Sequence, residues 1–469
     1  MLFSFATEKG GHRKKKTQPV FENLLFSDKA LAALIFPLFL EQLLSVLVGL
    51  SDSIMVAQVS EAAVSAVSLV DSIAILLINI FNALATGGAV VAGQFLGARD
   101  HKRARYAGRQ MMQFMVWLSA AVMILLYIGK PFILHVVFGK IAPDVMADSN
   151  TYLMISAASI PFLGIYCGGA ALFRAMGNSK MSMYVSLIMN IINVSGNAIL
   201  VFGFHRGVEG VAIPTLASRI VAAGLMIGFL WNEKHTLSLK GMHLFRFDGD
   251  MIRRILHIGI PNGIENSMFQ LGKILLLSLI STFGTAAIAA NAVSNSLAYF
   301  EILPGMSLGL ATVTVISRCV GAGDYEQARY FSIRLMKFAY LSMWITCIVM
   351  MALLPFMMKV YSLSPKTSGY AEEIMILHSI MGMIFWPTAF TLPNVFRAAN
   401  DVRFPMVVGV ASMWLFRIVC AVIFGKFMGW GVFGTWVAMV LDWVVRAIFY
   451  GIHYIRGRWI GKTMIESKE

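Results

Sequence analysis

Charge is what this 469-residue chain has least of: Asp, Glu, Lys and Arg together make up 13% of it, against 58% hydrophobic residues with 33 Phe and 31 Met. Soluble domains carry about twice that share of charge. A soluble protein of this size could not hide so much apolar surface, and no stretch is polar and long enough to form a soluble domain. Cysteine is also scarce. The four residues, Cys167, Cys319, Cys347 and Cys420, lie in or beside apolar segments without short-range pairing. That excludes a disulfide framework and a metal site, and leaves small buried hydrophobes. No GxxxxGK[ST] loop is present, so the chain does not encode an ATP-driven pump. Clustered His, Asp or Ser motifs of an intramembrane enzyme are missing, as is any filter-like sequence of a channel. The basic "HRKKK" near the start is not a signal peptide, because the apolar run that opens near Ala30 is too long for one.

What is present is a series of long apolar segments. Charged, Gly-rich and Pro-rich punctuation cuts the chain into twelve spans near 30–57, 63–95, 108–129, 151–173, 183–203, 209–231, 256–282, 286–318, 331–357, 370–395, 405–425 and 431–455. The formal net charge of +14 points to topology rather than to nucleic acid, since most Lys and Arg fall in alternate loops and in the two tails. The chain therefore reads as an all-α integral membrane protein with both termini in the cytoplasm. Its expected divisions are a basic N-terminal tail (1–29), a first lobe (30–232), a cytoplasmic linker (233–254), a second lobe (255–456) and a C-terminal tail (457–469).

Those lobes follow from an internal repeat offset by about 224 residues. "GARDHKRARY" (97–106) matches "GAGDYEQARY" (321–330) at six of ten positions. "FRAMGNSKMSM" (173–183) answers "FRAANDVRFPM" (396–406), "GVEG" (207–210) answers "GVFG" (431–434), and Pro37 with Glu41 answers Pro261 with Glu265. Six helices per half is an even number, so the halves cross the membrane in the same sense, as parallel repeats around a central cavity.

In order and spacing, "GLSDSIMVA", "GARDHKRA"/"GAGDYEQA", "FRAMGNSK…NIINVSGNAILVFGF…GVEGVAIPT" and "GIPNGIENSMFQLGK" are similar to the multidrug and toxic compound extrusion (MATE) family. The resemblance covers nearly the whole chain. It implies a two-lobe exporter in the cytoplasmic membrane, bacterial and monomeric, that expels organic cations, drugs or metabolites by alternating access against inward H⁺ or Na⁺, with no cofactor besides that ion. Membrane lipids and small cationic substrates are its expected partners, and nucleic acid is not. The wider superfamily includes flippases of lipid-linked precursors, which stand as the alternative. A flippase cavity should carry a basic cluster for pyrophosphate, and the only intramembrane cations of the first to middle spans are Arg219 and Lys273.

Asp52 matches the family's first-span aspartate for cation coupling, and its position agrees, about 10 Å from the outer end of its span. A carboxylate there costs roughly 2.5–3.5 kcal/mol to insert, so it should face a cavity. Asp71 lies at similar depth across a short turn and could share a proton with it. Asn193 and Asn197, at i and i+4 on one helix face, match a polar pair of the family's fifth span. Some members have a carboxylate at the second position, where this chain has Asn197. The acids that sodium-coupled members carry in spans seven and ten are replaced near Phe269 and Trp386, which favours H⁺. Glu41, Glu265, Glu301 and Lys273 are the cavity or substrate candidates. Glu41 and Glu265, as repeat partners, could equally brace each lobe's first helix; Lys273 sits at a poor angle to neutralise Glu265. Asp442 and Arg446, with Arg417 and Arg219, read as structural neutralisation near the cytoplasmic side. The abundant Met and Phe suit a cavity for varied hydrophobic cations.

Overall fold

The computed structural model describes residues 24–139 and 141–462. The "HRKKK" run and most of both terminal tails lie outside these residues. The described chain forms twelve helical units. We number them α1 (Asp28–Ala57), α2 (Glu61–Gly97), α3 (His101–Val137), α4 (Pro143–Ala158 and Ile160–Ala175, bent by 45° at the break), α5 (Ser179–Gly203), α6 (Glu209–Trp231), α7 (Gly249–Ser281), α8 (Thr285–Gly321), α9 (Tyr325–Val360), α10 (Pro365–Ala398), α11 (Arg403–Phe427) and α12 (Gly431–Ile455). Ten are long and apolar enough to span a bilayer, and the bent α4 makes an eleventh. The twelfth, α7, has the length, at 33 residues, but carries Asp250, Arg253, Arg254, Glu265 and Lys273. Its polarity has a purpose described below. It begins at Gly249, inside the stretch read from sequence as a link. Residues 232–248 run as turns along α3, where Trp117 donates to the Leu244 carbonyl at 2.8 Å and Gln110 to that of Arg246 at 2.9 Å.

Local chemistry repeats with the sequence. Asp100 and Asp324 are N-caps whose carboxylates accept from the backbone N–H three residues on, at 3.0 and 2.8 Å. The residue before each cap, Arg99 and Gly323, has a left-handed backbone, with φ of 57° and 73°. This is what the GA-D motif encodes: a helix end, a left-handed turn and a capped restart in five residues. Gly177 pairs with Asn400 and His205 with Gly429 in the same way, all at positive φ. α5 and α11 also end in equivalent widened π segments, Ile199–Gly203 and Ile423–Phe427. Of the four cysteines, all unpaired, three are buried as expected, whereas Cys420 is half-exposed.

The two lobes meet where α2 and α8 approach their C-terminal ends, on the side where α1 starts and α12 finishes, here called the terminal side. Small residues make the contact possible. A Cβ on Gly97 would lie 2.0 Å from the Arg318 carbonyl oxygen, and one on Gly321 would lie 1.9 Å from that of Gln94. Hydrogen bonds cross the same seam reciprocally. Gln94 donates to the Ala398 carbonyl at 2.9 Å, and its repeat counterpart Arg318 donates twice to the Ala175 carbonyl, at 3.1 and 2.7 Å. Each lobe thus caps the end of the other's fourth helix, satisfying carbonyls that a helix terminus leaves open. Farther along, Gly87 and Gly259 let α2 and α7 touch backbone to backbone.

Candidate functional site

Two buried polar assemblies occupy the lobes, and they are built differently. In the N-lobe, α5 presents a polar stripe of Ser186, Asn190, Asn193 and Asn197, all buried. Spacings of three and four residues place them on one face. Asn197, fully buried, donates to Asp52 Oδ1 of α1 at 2.7 Å. Asn193 donates to Thr215 of α6 at 3.0 Å, and the two asparagines lie 3.4 Å apart, amide to carbonyl. The result is a hydrogen-bonded line from Asp52 through α5 to α6. One atom in it is left over: Asn197 Oδ1 is buried with no partner. An orphaned buried acceptor is costly, and its position beside a carboxylate suits a proton or a small cation.

Asp71 of α2 joins this neighbourhood by a different contact. It accepts from the Tyr152 hydroxyl of α4 at 3.2 Å. Asp52 and Asp71 thus each have their own donor and share no hydrogen bond, although they lie within electrostatic reach of one another. Arg219 of α6 is a neighbour of both groups. It donates to Ser159 Oγ at 2.6 Å, at the bend of α4, and acts electrostatically on both carboxylates. This corrects the sequence reading of Arg219 as part of the neutralising set near the cytoplasmic side: it belongs to the N-lobe assembly. Among the described residues no cluster of three or more His, Cys, Asp or Glu could hold a metal ion, so any cation bound here would use amide and hydroxyl oxygens as well as carboxylate.

The repeat partners Glu41 and Glu265 have matching partners. Glu41 lies 3.4 Å from Arg174 Nη1 and accepts from Ser182 at 2.7 Å. Glu265 lies 2.6 Å from Arg397 Nη2 and 3.7 Å from Arg446. Arg174 and Arg397 are the arginines of the two "FRA" motifs, and Phe173 and Phe396 beside them are fully buried. Two motifs recognised separately in the sequence are therefore one device, which ties the first helix of each lobe to its fourth. Sequence reasoning did not find the two arginines as partners, though their strict repetition alongside Pro-x-x-x-Glu was the signal.

Lys273 is not the partner of Glu265. Its ammonium lies 5.8 Å from the Phe269 ring centroid and 5.9 Å from that of Tyr299, with no carboxylate at ion-pair distance among the described residues. Asp442 and Arg446 do form the i,i+4 pair, at 2.8 Å, and Arg417 approaches Asp442 at 3.7 Å. Glu301 of α8 stands apart, fully buried, 2.7 Å from His378 Nδ1 and accepting from Ser379 at 2.6 Å. His378 packs edge-on to Trp436 and Trp443. It escaped the sequence reading because a lone His in an apolar span carries no pattern. Apart from these assemblies, a crevice of about 600 Å³ opens between α1, α8 and α9. Its walls, Phe36, Phe39, Phe338 and Ile345 among them, include none of the buried acids named above.

Comparison with known proteins agrees with the repeat. The MatE family model matches the chain twice, over residues 37–199 and 261–423, an offset of 224 residues. YisQ of Bacillus subtilis, an uncharacterised transporter, is 27% identical over 95% of this chain and 99% of its own length. NorM of Thermotoga maritima, a probable multidrug resistance protein, is 22% identical over 93% and 94%. A MATE solved in complex with MaD3S superposes with a TM-score of 0.86 at 17% identity, over 93% of this chain and 97% of that one. A protein with two MatE matches, one in each six-helix lobe, belongs to the MATE family of membrane transporters.

Proposed function

We propose that this chain is a secondary antiporter that exports small organic molecules in exchange for an inward cation, with the proton as that cation. Relatives named as multidrug resistance or multidrug export proteins support export as the direction of work. The observation that carries the coupling reading is the Asp52–Asn197 contact with its orphaned acceptor. The amide donates to Asp52, an arrangement that suits the ionised carboxylate. When Asp52 takes a proton, the amide can turn so that the new O–H donates to Asn197 Oδ1, which satisfies that atom. The two protonation states therefore favour two amide orientations, and a turn on α5 passes on to Asn193 and Thr215. Asp71, Tyr152 and Arg219 set the local field in which that proton is gained and lost.

Alternating access needs a seam that can open, and the terminal-side contact of α2 with α8 provides it. The excess of Lys and Arg in the loops of that side supports a cytoplasmic placement of both termini. With that seam closed, this reading expects the transport cavity to open outward. A single chain holds both lobes and the coupling residues, so one copy suffices for transport.

The test uses proteoliposomes with pH and Na⁺ gradients imposed separately and ethidium as the transported cation. Efflux should follow the pH gradient and be lost in Asp52→Asn, with the protein still in the membrane. Efflux driven by Na⁺ alone would overturn the proton reading, and undiminished efflux in Asp52→Asn would remove that residue from the mechanism.

A further inference from the structure

A buried chain of charge runs through the C-lobe and does not balance. Arg397, Glu265, Arg446, Asp442 and Arg417 alternate in sign along contacts of 2.6, 3.7, 2.8 and 3.7 Å. Three guanidiniums thus hold two carboxylates. Lys273 adds a fourth cation at the far end, beside a ring that two of the arginines also face: Phe269 lies 5.1 Å from Arg417 and 5.7 Å from Arg446, centroid to guanidinium carbon. Four cations against two anions leave two positive charges in surplus, deep in a membrane protein. The surplus is also visible as unused donors. Arg397 and Arg417 are 9% and 8% exposed, and the Nε of each is buried without a hydrogen-bond partner. Unpaired buried charge is among the costliest features a membrane protein can carry, and such charges mark substrate or ion pathways. The N-lobe has the opposite balance, with Asp52, Asp71 and Glu41 against Arg174 and Arg219. Arg417 is moreover the repeat counterpart of Asn193, so equivalent stations in the two lobes differ in polarity.

We propose that Lys273 and Arg417, flanking Phe269, bind the oxyanion head, carboxylate or phosphate, of an amphipathic organic anion. Its apolar body lies along the aromatic wall that Phe269 shares with Phe390 and Trp386, whose rings stack at 5.1 Å from one another. Among the described residues Arg417 offers a guanidinium with an unused N–H, and Lys273 a point charge with no acid at ion-pair distance. Lys273 is half-buried and Tyr299 beside it is 42% exposed, which opens this end of the charge chain to a ligand. The inner members, Glu265, Arg446 and Asp442, hold Arg417 in place. This inference rests on the export reading, because the anion bound here is a cargo, and it extends the substrate class from cations to anions and zwitterions. Coupling in the acidic lobe and cargo in the basic lobe keep the two ligands from competing for one site.

The experiment measures equilibrium binding to the purified full-length protein with no gradient, so its outcome is independent of the coupling test on Asp52. Radiolabelled 2-naphthoate is the soluble probe, dioctanoyl phosphatidic acid the lipid probe and ethidium the cationic control. Lys273→Gln and Arg417→Gln should each weaken the bound anion by about tenfold or more, the range of one charge-assisted hydrogen bond, and leave ethidium within about twofold. Lys273→Arg, which keeps the charge, should retain the anion. Dependence on these residues for 2-naphthoate assigns a soluble cargo, and for phosphatidic acid a lipid one. The proposal is overturned if neither anion distinguishes wild type from Lys273→Gln, or if Lys273→Arg and Lys273→Gln lose binding equally, which would make packing rather than charge responsible.

Discussion

Gly97→Ala and Gly321→Ala test whether the seam between α2 and α8 is the moving part. In each case the added Cβ meets a backbone carbonyl oxygen of the opposite lobe, at 2.0 and 1.9 Å. Backbone cannot rotate aside as a side chain can. Ordinary contact at 3.4 Å requires the helices to part by about 1.4 Å at Gly97. A hydrogen bond does not survive that much lengthening, so the reciprocal caps break with the seam. Arg318 to Ala175 is a charge-assisted bond of about 1.5–3 kcal/mol and Gln94 to Ala398 a neutral one of about 1 kcal/mol. Their loss, about 2.5–4 kcal/mol, shifts the closed-to-open ratio by roughly 60- to 700-fold, at 1.4 kcal/mol per tenfold. Spin labels at Lys102 and Glu326, exposed repeat-equivalent positions on the two lobes, report the separation by pulsed dipolar spectroscopy after Cys420 is replaced by Ser. Wild type should show a short-distance population that Gly97→Ala moves to longer distances, with transport slowed. Gly224→Ala, whose Cβ would meet nothing within 4 Å, is the control. Distance distributions of Gly97→Ala and Gly321→Ala that superimpose on wild type would refute the reasoning.

Glu265→Gln should destabilise the protein by about 3–5 kcal/mol, the range for breaking a buried ion pair by removing one partner, read as a lower melting temperature in detergent. Glu41→Gln should cost less, because its arginine sits farther off, at 3.4 Å rather than 2.6 Å. Asn197→Asp places a second carboxylate 2.7 Å from an Asp52 oxygen. Two acids so close retain one proton to higher pH, so the pH at which proton-driven efflux is half-maximal should rise by about one unit or more, and an unchanged profile would separate Asn197 from coupling. Glu301→Gln leaves His378 facing a neutral amide; because their 2.7 Å contact is fully buried, the variant should lose about 2 kcal/mol or more of stability and, if the pair is only structural, keep its pH profile once folded.

Much of this architecture is decided by features that act locally and so can be read along the chain. Apolar length requires spans, because lipid offers no partner for backbone polar groups. The repeated GA-D loops mark short turns between spans at matching places in the two halves, and the structure adds that each holds a left-handed residue and an Asp cap. Repetition at one offset requires two like lobes. These are properties of short segments, and each held in three dimensions. Even so, α7 was harder to bound, since its polar residues serve contacts with other helices rather than lipid.

The pairing of charges was not legible in the same way. From spacing alone Lys273 is a poor partner for Glu265 that leaves the acid without one, Arg219 belongs with the late arginines, and the first to middle spans offer only Arg219 and Lys273 as cations. The fold instead brings Arg397 of α10 and Arg446 of α12 onto Glu265 of α7, and carries Arg219 across to the bend of α4. It gathers four cations from four helices around two acids and one phenylalanine. Which face of a helix meets which neighbour depends on packing among segments hundreds of residues apart. A two-lobe membrane transporter, with Asp52 as the first acid to question, follows from the chain read alone; that the Asp52 assembly carries surplus acid and the Arg417 assembly surplus base emerges only on folding, because the sign of a buried site is a sum over helices that no single stretch contains.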